Sequence, residues 1–436
     1  LRYGNVLYMP VDWSIATKVF GWTYTETKTT GFLLGGPKFV ATHRQAVALG
    51  VIENRAKKNM PIPAVSSAIV HSRQTVAVGQ RNIACEIVTV DMKAGGLQAE
   101  TVLAGGAIGK TGTLEAAAKA NGALFAINGT FFDAYNGYGT PSNVLVSQGK
   151  LVTTGGYYGA LGINGTQAKV DRVQALVDGE NTGKVFDYVS WYNGKWYGLS
   201  LNTPHIHFGD SRIVLFDRNH HGKIKTHKGF VGYYFTVNQG IISEPKKVTS
   251  EIDHKADYTI VFPATVSHPN LDINTVAKDP KLLNATQHVY SNYAKFAQGA
   301  TFGAQPVVTN IKDIGDRKQL EKTDPFWKTV ETVVGAGPLL VKGGKIAIDF
   351  TQESFGEKKI TTDSGRRSVA GIKADGTLIF VIADGTVDEL AEVMIRLGAV
   401  DATCFDGGGS SGMYLNGKTI VRPGRELSNI LIFKGK

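Results

Sequence analysis

The sequence predicts an α+β protein: a mixed, twisted, β-sheet-rich domain with a few packed helices, preceded by a short N-terminal segment. Three observations predict it. Short apolar runs such as TVAVG, CEIVTVDM, ALFAING, GTLIFVIADG and TIVRPG recur from residue 76 onward, separated by glycine or Asn-Gly turns. The 52 glycines follow no collagen-like or low-complexity period, so they read as turns between strands. Helical signals are sparse in the same region, with two segments standing out.

In chain order, residues 1–40 read as short strands and a helix, the remnant of a small N-terminal module. The stretch YMPVDWSIATKVFGW within it resembles the end of the N-terminal domain of copper amine oxidases. That resemblance implies a surface-facing module and no copper chemistry. Residues 41–75 read as a helical linker: VATHRQAVALGVIENRAKK spaces its apolar side chains helically, and NMPIP ends the helix because proline cannot continue it. The main domain is expected over 76–436. SQGK, KGGK and NGK read as hairpin tips. TLEAAAKAN, from Thr113, has a threonine cap and an Asn-Gly close. TVDELAEVMIRL carries a capping box, Thr386 with Glu389, and is stopped by Gly398. Each helix leads into a strand and then a polar glycine-containing loop, GTFFD in one unit and DGGGSSG in the other. Function collects on loops beyond strand ends, so both loops are expected on one cleft.

Composition narrows the function classes. With 436 residues, 42% hydrophobic and 19% charged, the chain has material for one large core plus a smaller piece. No apolar run reaches the roughly 18 residues of a membrane helix, so no transmembrane segment is expected. The net charge of +10 favours an anionic partner. No nucleic-acid motif or aromatic-interleaved basic stripe accompanies it, which argues against nucleic acid. GKTGT lacks the glycine spacing of a phosphate loop. Cys85 and Cys404 sit in strand-like runs without metal spacing and read as buried free thiols. The chain opens on Leu1 without a signal peptide, which reads as a processed or trimmed chain. The pattern fixes no oligomeric state.

Five motifs come in order: AINGTFFD (126–133), GAGPLLVKGGK (335–345), RRSVAGIKADGTLIFVIADG (366–385), LGAVDATCFDGGGSSGMYLNG (397–417) and RELSNILIF (425–433). Together they resemble the phosphodiester glycosidase family, whose bacterial relatives are secreted or wall-associated. The resemblance spans roughly 76–436. Residues 235–330 match it little and read as a family-divergent insertion.

The residues support that chemistry on their own terms. Asp406 ends an apolar run and is the leading acid/base candidate, with Asp384 second. Gly407, Gly408 and Gly409 can form a concave nest of amides for an anion, and Ser410 and Ser411 add hydroxyls. Asn128 offers a donor and an acceptor at a strand end, and Gly129 and Thr130 leave room beside it. Arg366 and Arg367 stand where the family carries an arginine, a two-pronged phosphate ligand. Strand alternation lets one of them face the cleft, and Arg367 is the better match. Phe131 and Phe132 read as core, Asp133 and Glu353 as further carboxylates, and Asn202 as a weaker site candidate. No motif demands a cofactor. A divalent cation is left open by His205 and His207, an HxH pair on one strand face, although the family pattern does not use them.

The function expected is hydrolysis of a sugar-1-phosphodiester at the anomeric C–O bond, on cell-wall or surface phosphoglycans of a secreted bacterial protein. The alternatives are a non-catalytic wall-glycan binding protein and a metal-dependent phosphodiesterase.

Overall fold

The computed structural model describes residues 2–3, 6–7, 23–27, 31–36, 39–42, 68–134, 138–181, 184–186, 190–192, 195–197, 200–202, 214–220, 222–226, 232–248, 250–263, 298–299, 301–314 and 317–436. The chain divides into two units, Leu1–Pro63 and Ala64–Lys436. In the first, the strands Thr23–Thr27, Gly31–Gly36 and Phe39–Thr42 form an antiparallel meander. The helix expected from Val40 therefore starts in a strand; its remainder, like the helix expected in YMPVDWSIATKVFGW, lies outside the described residues. No helix of the described residues is long and apolar enough to cross a membrane.

The second unit is β-rich, and its first elements are a hairpin, β1 (Ile69–Val78) and β2 (Arg81–Val90). The ten-pair ladder between them crosses the boundary placed at 75, so residues 69–75 of the expected linker are strand. Then follow β3 (Leu97–Leu103), α1 (Leu114–Ala120) and β4 (Ala123–Asn128). A long hairpin, β5 (Gly155–Asn164) and β6 (Gln167–Asn181), comes next. The C-terminal part contributes β7 (Leu339–Lys342), a one-turn α2 (Lys358–Thr361), β8 (Gly365–Lys373), β9 (Leu378–Gly385) and α3 (Val387–Arg396). It ends with β10 (Ala399–Cys404), β11 (Met413–Leu415), β12 (Lys418–Val421) and β13 (Asn429–Gly435).

Two sheets position the site. One runs from the short strand Lys345–Ile346 through β7, β10, β8, β9 and β2 to β1; the other runs β12, β11, β4, β13, β3. Both are antiparallel throughout. Phe125 of β4, Phe433 of β13 and Phe380 of β9 meet between them, with ring centroids 5.2–5.7 Å apart. The other face of the first sheet is closed by α3, whose Leu390, Val393 and Met394 pack on Val369, Ile379 and Val381. Covering both faces explains why β9 reads as an unbroken apolar run.

Local chemistry sets the elements as expected. Thr386 Oγ1 accepts from the Glu389 amide and Glu389 Oε2 from the Thr386 amide, completing the capping box. The three hairpin tips are confirmed, with both residues of each turn left-handed: Gln148–Gly149, Gly343–Gly344 and Asn416–Gly417. Cys85 and Cys404 are buried and free, and burial pushes their thiols up, to about 11 and about 12.

Candidate active site

The site forms where β4 of one sheet and β10 of the other end side by side. Asp406 lies two residues beyond β10, and its amide donates to Gly129 O at 3.0 Å. Asn128 Nδ2 donates to Asp406 O at 2.6 Å. Asn128 Oδ1 accepts from Ser368 Oγ at 2.8 Å and from the Gly412 amide at 3.1 Å. The two helix–strand–loop units thus deliver their loops to one cleft of about 520 Å³, lined by Phe131–Asp133 on one side and Asp406–Gly409 on another. Arg366, Arg367, Lys359, Asp363 and Arg425 complete the wall.

The Asp406 carboxyl is strongly perturbed. Burial is the largest influence on its carboxyl and raises it from 3.8 to about 6. The Ser410 hydroxyl, Arg425, the Gly407 amide and Lys359 pull in the opposite direction and do not win. Ser410 Oγ sits close enough to act on the carboxylate but has no partner of good hydrogen-bonding geometry, and neither do the buried Ser411 Oγ and Thr130 Oγ1.

The three glycines have separate reasons. A Cβ on Gly407 would lie 3.0 Å from Arg366 O. Gly408 has φ +59°, which side chains rarely adopt. A Cβ on Gly409 would come within 2.9 Å of the Arg425 guanidinium, so glycine there makes room for a cation. The Ser410 and Ser411 amides are spent on the turn, donating to Gly407 O and Gly408 O, each at 3.2 Å. Among the described residues, the Gly408 and Gly409 amides have no protein acceptor.

Several expected site residues take other places. Asn128 is buried, is absent from the cleft lining and spends its side-chain amide on Asp406 O, Ser368 Oγ and the Gly412 amide, so it clips the two strand ends together. Gly129 makes room for Asn429: a Cβ there would lie 2.0 Å from Asn429 Oδ1. Asp384 is exposed and is absent from this cleft; it faces Arg366 at 3.9 Å beside a neighbouring cleft. Arg366 therefore stands at the rim, while Arg367 lies deeper and is steadied by Asp363 O at 2.6 Å and Gly385 O at 3.3 Å. Glu353 is buried elsewhere, on the Gly159 and Leu339 amides and Arg172. Asn202 is consumed by Val152 O and Asp217. Phe131 and Phe132 are half-buried on the cleft wall, and Phe131 meets Phe355 edge-on. His205 and His207 lie outside the described residues; among those described, no group of three or more His, Cys, Asp or Glu is arranged to hold a metal ion.

Sequence reasoning missed Arg425, Lys359 and Asp363. Arg425 was legible, since it opens the RELSNILIF motif. Lys359 and Asp363 sit in a polar stretch, EKKITTDSG, that carries no pattern of its own.

The cleft thus brings a carboxyl raised to about 6 together with Arg366, Arg367, Arg425 and Lys359. Residues 270–434 match the sequence profile described as phosphodiester glycosidase, so the resemblance carried by the motifs is shown for that part of the chain. The match begins inside the 235–330 region that reads as divergent. No curated protein matches the sequence. A hypothetical protein from Synechocystis shares the fold at a TM-score of 0.65, with 16% identity over 95% of this chain and 68% of that one. A Burkholderia pseudomallei protein named as exported does so at 0.58, with 18% identity over 97% and 87%. The zebrafish N-acetylglucosamine-1-phosphodiester α-N-acetylglucosaminidase catalytic domain, auto-inhibited by its pro-peptide, aligns over 84% of this chain and 82% of that one. Its identity is 13% and its TM-score 0.37.

Proposed function

We propose that the protein hydrolyses a sugar-1-phosphodiester, breaking the bond between the anomeric carbon and the phosphate oxygen. The products are a free sugar and a phosphomonoester. The observation that carries this reading is the Asp406 carboxyl, raised to about 6 in a cleft that also presents Arg367 and Arg425. The arginines and the Gly408 and Gly409 amides hold the phosphate. The bound anion raises Asp406 further, so it enters the reaction protonated and gives its proton to the departing phosphate oxygen. Water then attacks the anomeric carbon. Asp133, on the opposite loop, lines the cleft with Glu357 and Asp363 as further carboxylates, and it takes the water's proton. Asn128 is a positioning residue that keeps Asp406 at the seam.

On the same reading the chemistry belongs to a single α+β domain formed by the second unit, the substrate is a cell-wall or surface phosphoglycan, and the protein is secreted or wall-associated in a bacterium. The net charge of +10 and the exported neighbour support that setting. The test is release of free sugar from a panel of sugar-1-phosphodiesters, with and without EDTA, comparing wild type with Asp406→Ala. EDTA-resistant release that the substitution abolishes is expected. Binding of wall glycan with no release from any diester, in folded protein, would favour the glycan-binding alternative.

A further inference from the structure

A second cleft, of about 660 Å³, opens beside the candidate site. The two share Arg425 as a lining residue. Between them the Gly424 amide donates to Gly409 O at 2.8 Å, so the divide is bare backbone at both positions. Gly409 is needed for Arg425, but nothing inside the protein asks for glycine at 424. A Cβ there would meet nothing nearer than 3.6 Å, an ordinary contact, and its φ is not in the left-handed region. What glycine preserves at 424 is the open space above the divide.

The charges of the second cleft are mostly committed. Lys119 and Glu115 pair at 2.5 Å, and Thr419 Oγ1 donates to Glu115 at 3.0 Å. Glu426 accepts from Thr111 Oγ1 at 2.7 Å. Arg422 makes no hydrogen bond or close ion pair among the described residues, although its charge is felt by Glu115, and beyond the shared Arg425 it is the cation this cleft offers to a ligand.

We infer that the second cleft is the aglycone subsite of the proposed phosphodiester site, and that the aglycone carries a second phosphate, held by Arg422. The inference rests on the reading above, and it makes the substrate a repeating phosphodiester-linked chain. One phosphate sits at Arg425, and the chain crosses the glycine saddle to the next. Two linked anions bind better than one because the second contact is intramolecular.

The test measures binding of two probes to the intact wild-type protein: glycerol 3-phosphate, and two glycerol phosphates joined by a phosphodiester. The longer probe is expected to bind at least about tenfold more tightly. That ratio is expected to fall towards one in Arg422→Ala and in Gly424→Phe, which fills the saddle. Equal affinities in wild type, no measurable binding of the longer probe at millimolar concentration, or a ratio untouched by both substitutions would overturn the inference. Failure of the hydrolysis reading would look different: no sugar release, with the ratio intact.

Discussion

Asp406 couples activity to stability through one carboxyl. Its folded value, about 6, lies above the ordinary 3.8, so the fold favours the protonated form and folding takes up a proton between roughly pH 4 and 6. Stability therefore falls as pH rises through that window, by about 2–3 kcal/mol at most. Asp406→Asn removes the charge, and denaturant melts across pH are expected to show it more stable than wild type above pH 6 and little different below pH 4. Turnover should fall by about 10²–10⁴-fold in the same variant. Because the proposed role needs the protonated form, kcat/KM in wild type is expected to decline as pH rises through about 6. A rate that climbs through the same range would assign Asp406 to the base role. Asp406 was legible because a carboxylate before three glycines is more than a turn needs. The raised value was not, since it is a balance between burial by packing, which lifts it, and charges brought in from elsewhere in the chain, Arg425 and Lys359, which pull it down.

At the scale of elements, the site depends on two strand ends held in register. Asn128→Ala removes hydrogen bonds to Asp406 O, Ser368 Oγ and the Gly412 amide, and leaves buried polar groups unpaired. The expected cost is about 2–4 kcal/mol in urea melts, with lost activity tracking displaced Asp406. Gly409→Ala pushes on the Arg425 guanidinium and is expected to weaken phosphate binding about tenfold with a small change in stability. Equal affinity for phosphate in that variant would remove Arg425 from the site. The repeated helix, strand and polar loop let the sequence announce that GTFFD and DGGGSSG share a cleft. The hairpin β5–β6 gave no such notice. Its glycines break the alternation of a half-buried strand because the layers close on them: Gly159 lies against Thr403 and Leu339, and Gly162 against Trp327.

At the scale of the molecule, the two sheets meet on a core that ends directly behind the site. Phe380→Ala opens that core at the Phe125–Phe433 contact and is expected to cost about 3–5 kcal/mol in thermal or denaturant unfolding. Apolar runs and turn chemistry made the β-rich class readable. Which strands pair across sheets was not, because that choice is made by packing between segments hundreds of residues apart. The central claim concerns which bond the assembled cleft breaks, and hydrolysis in ¹⁸O-water measures it directly. Cleavage at the anomeric carbon predicts a phosphomonoester free of label, with the ¹⁸O entering the sugar. Label in the phosphomonoester would mean attack at phosphorus and would contradict the account.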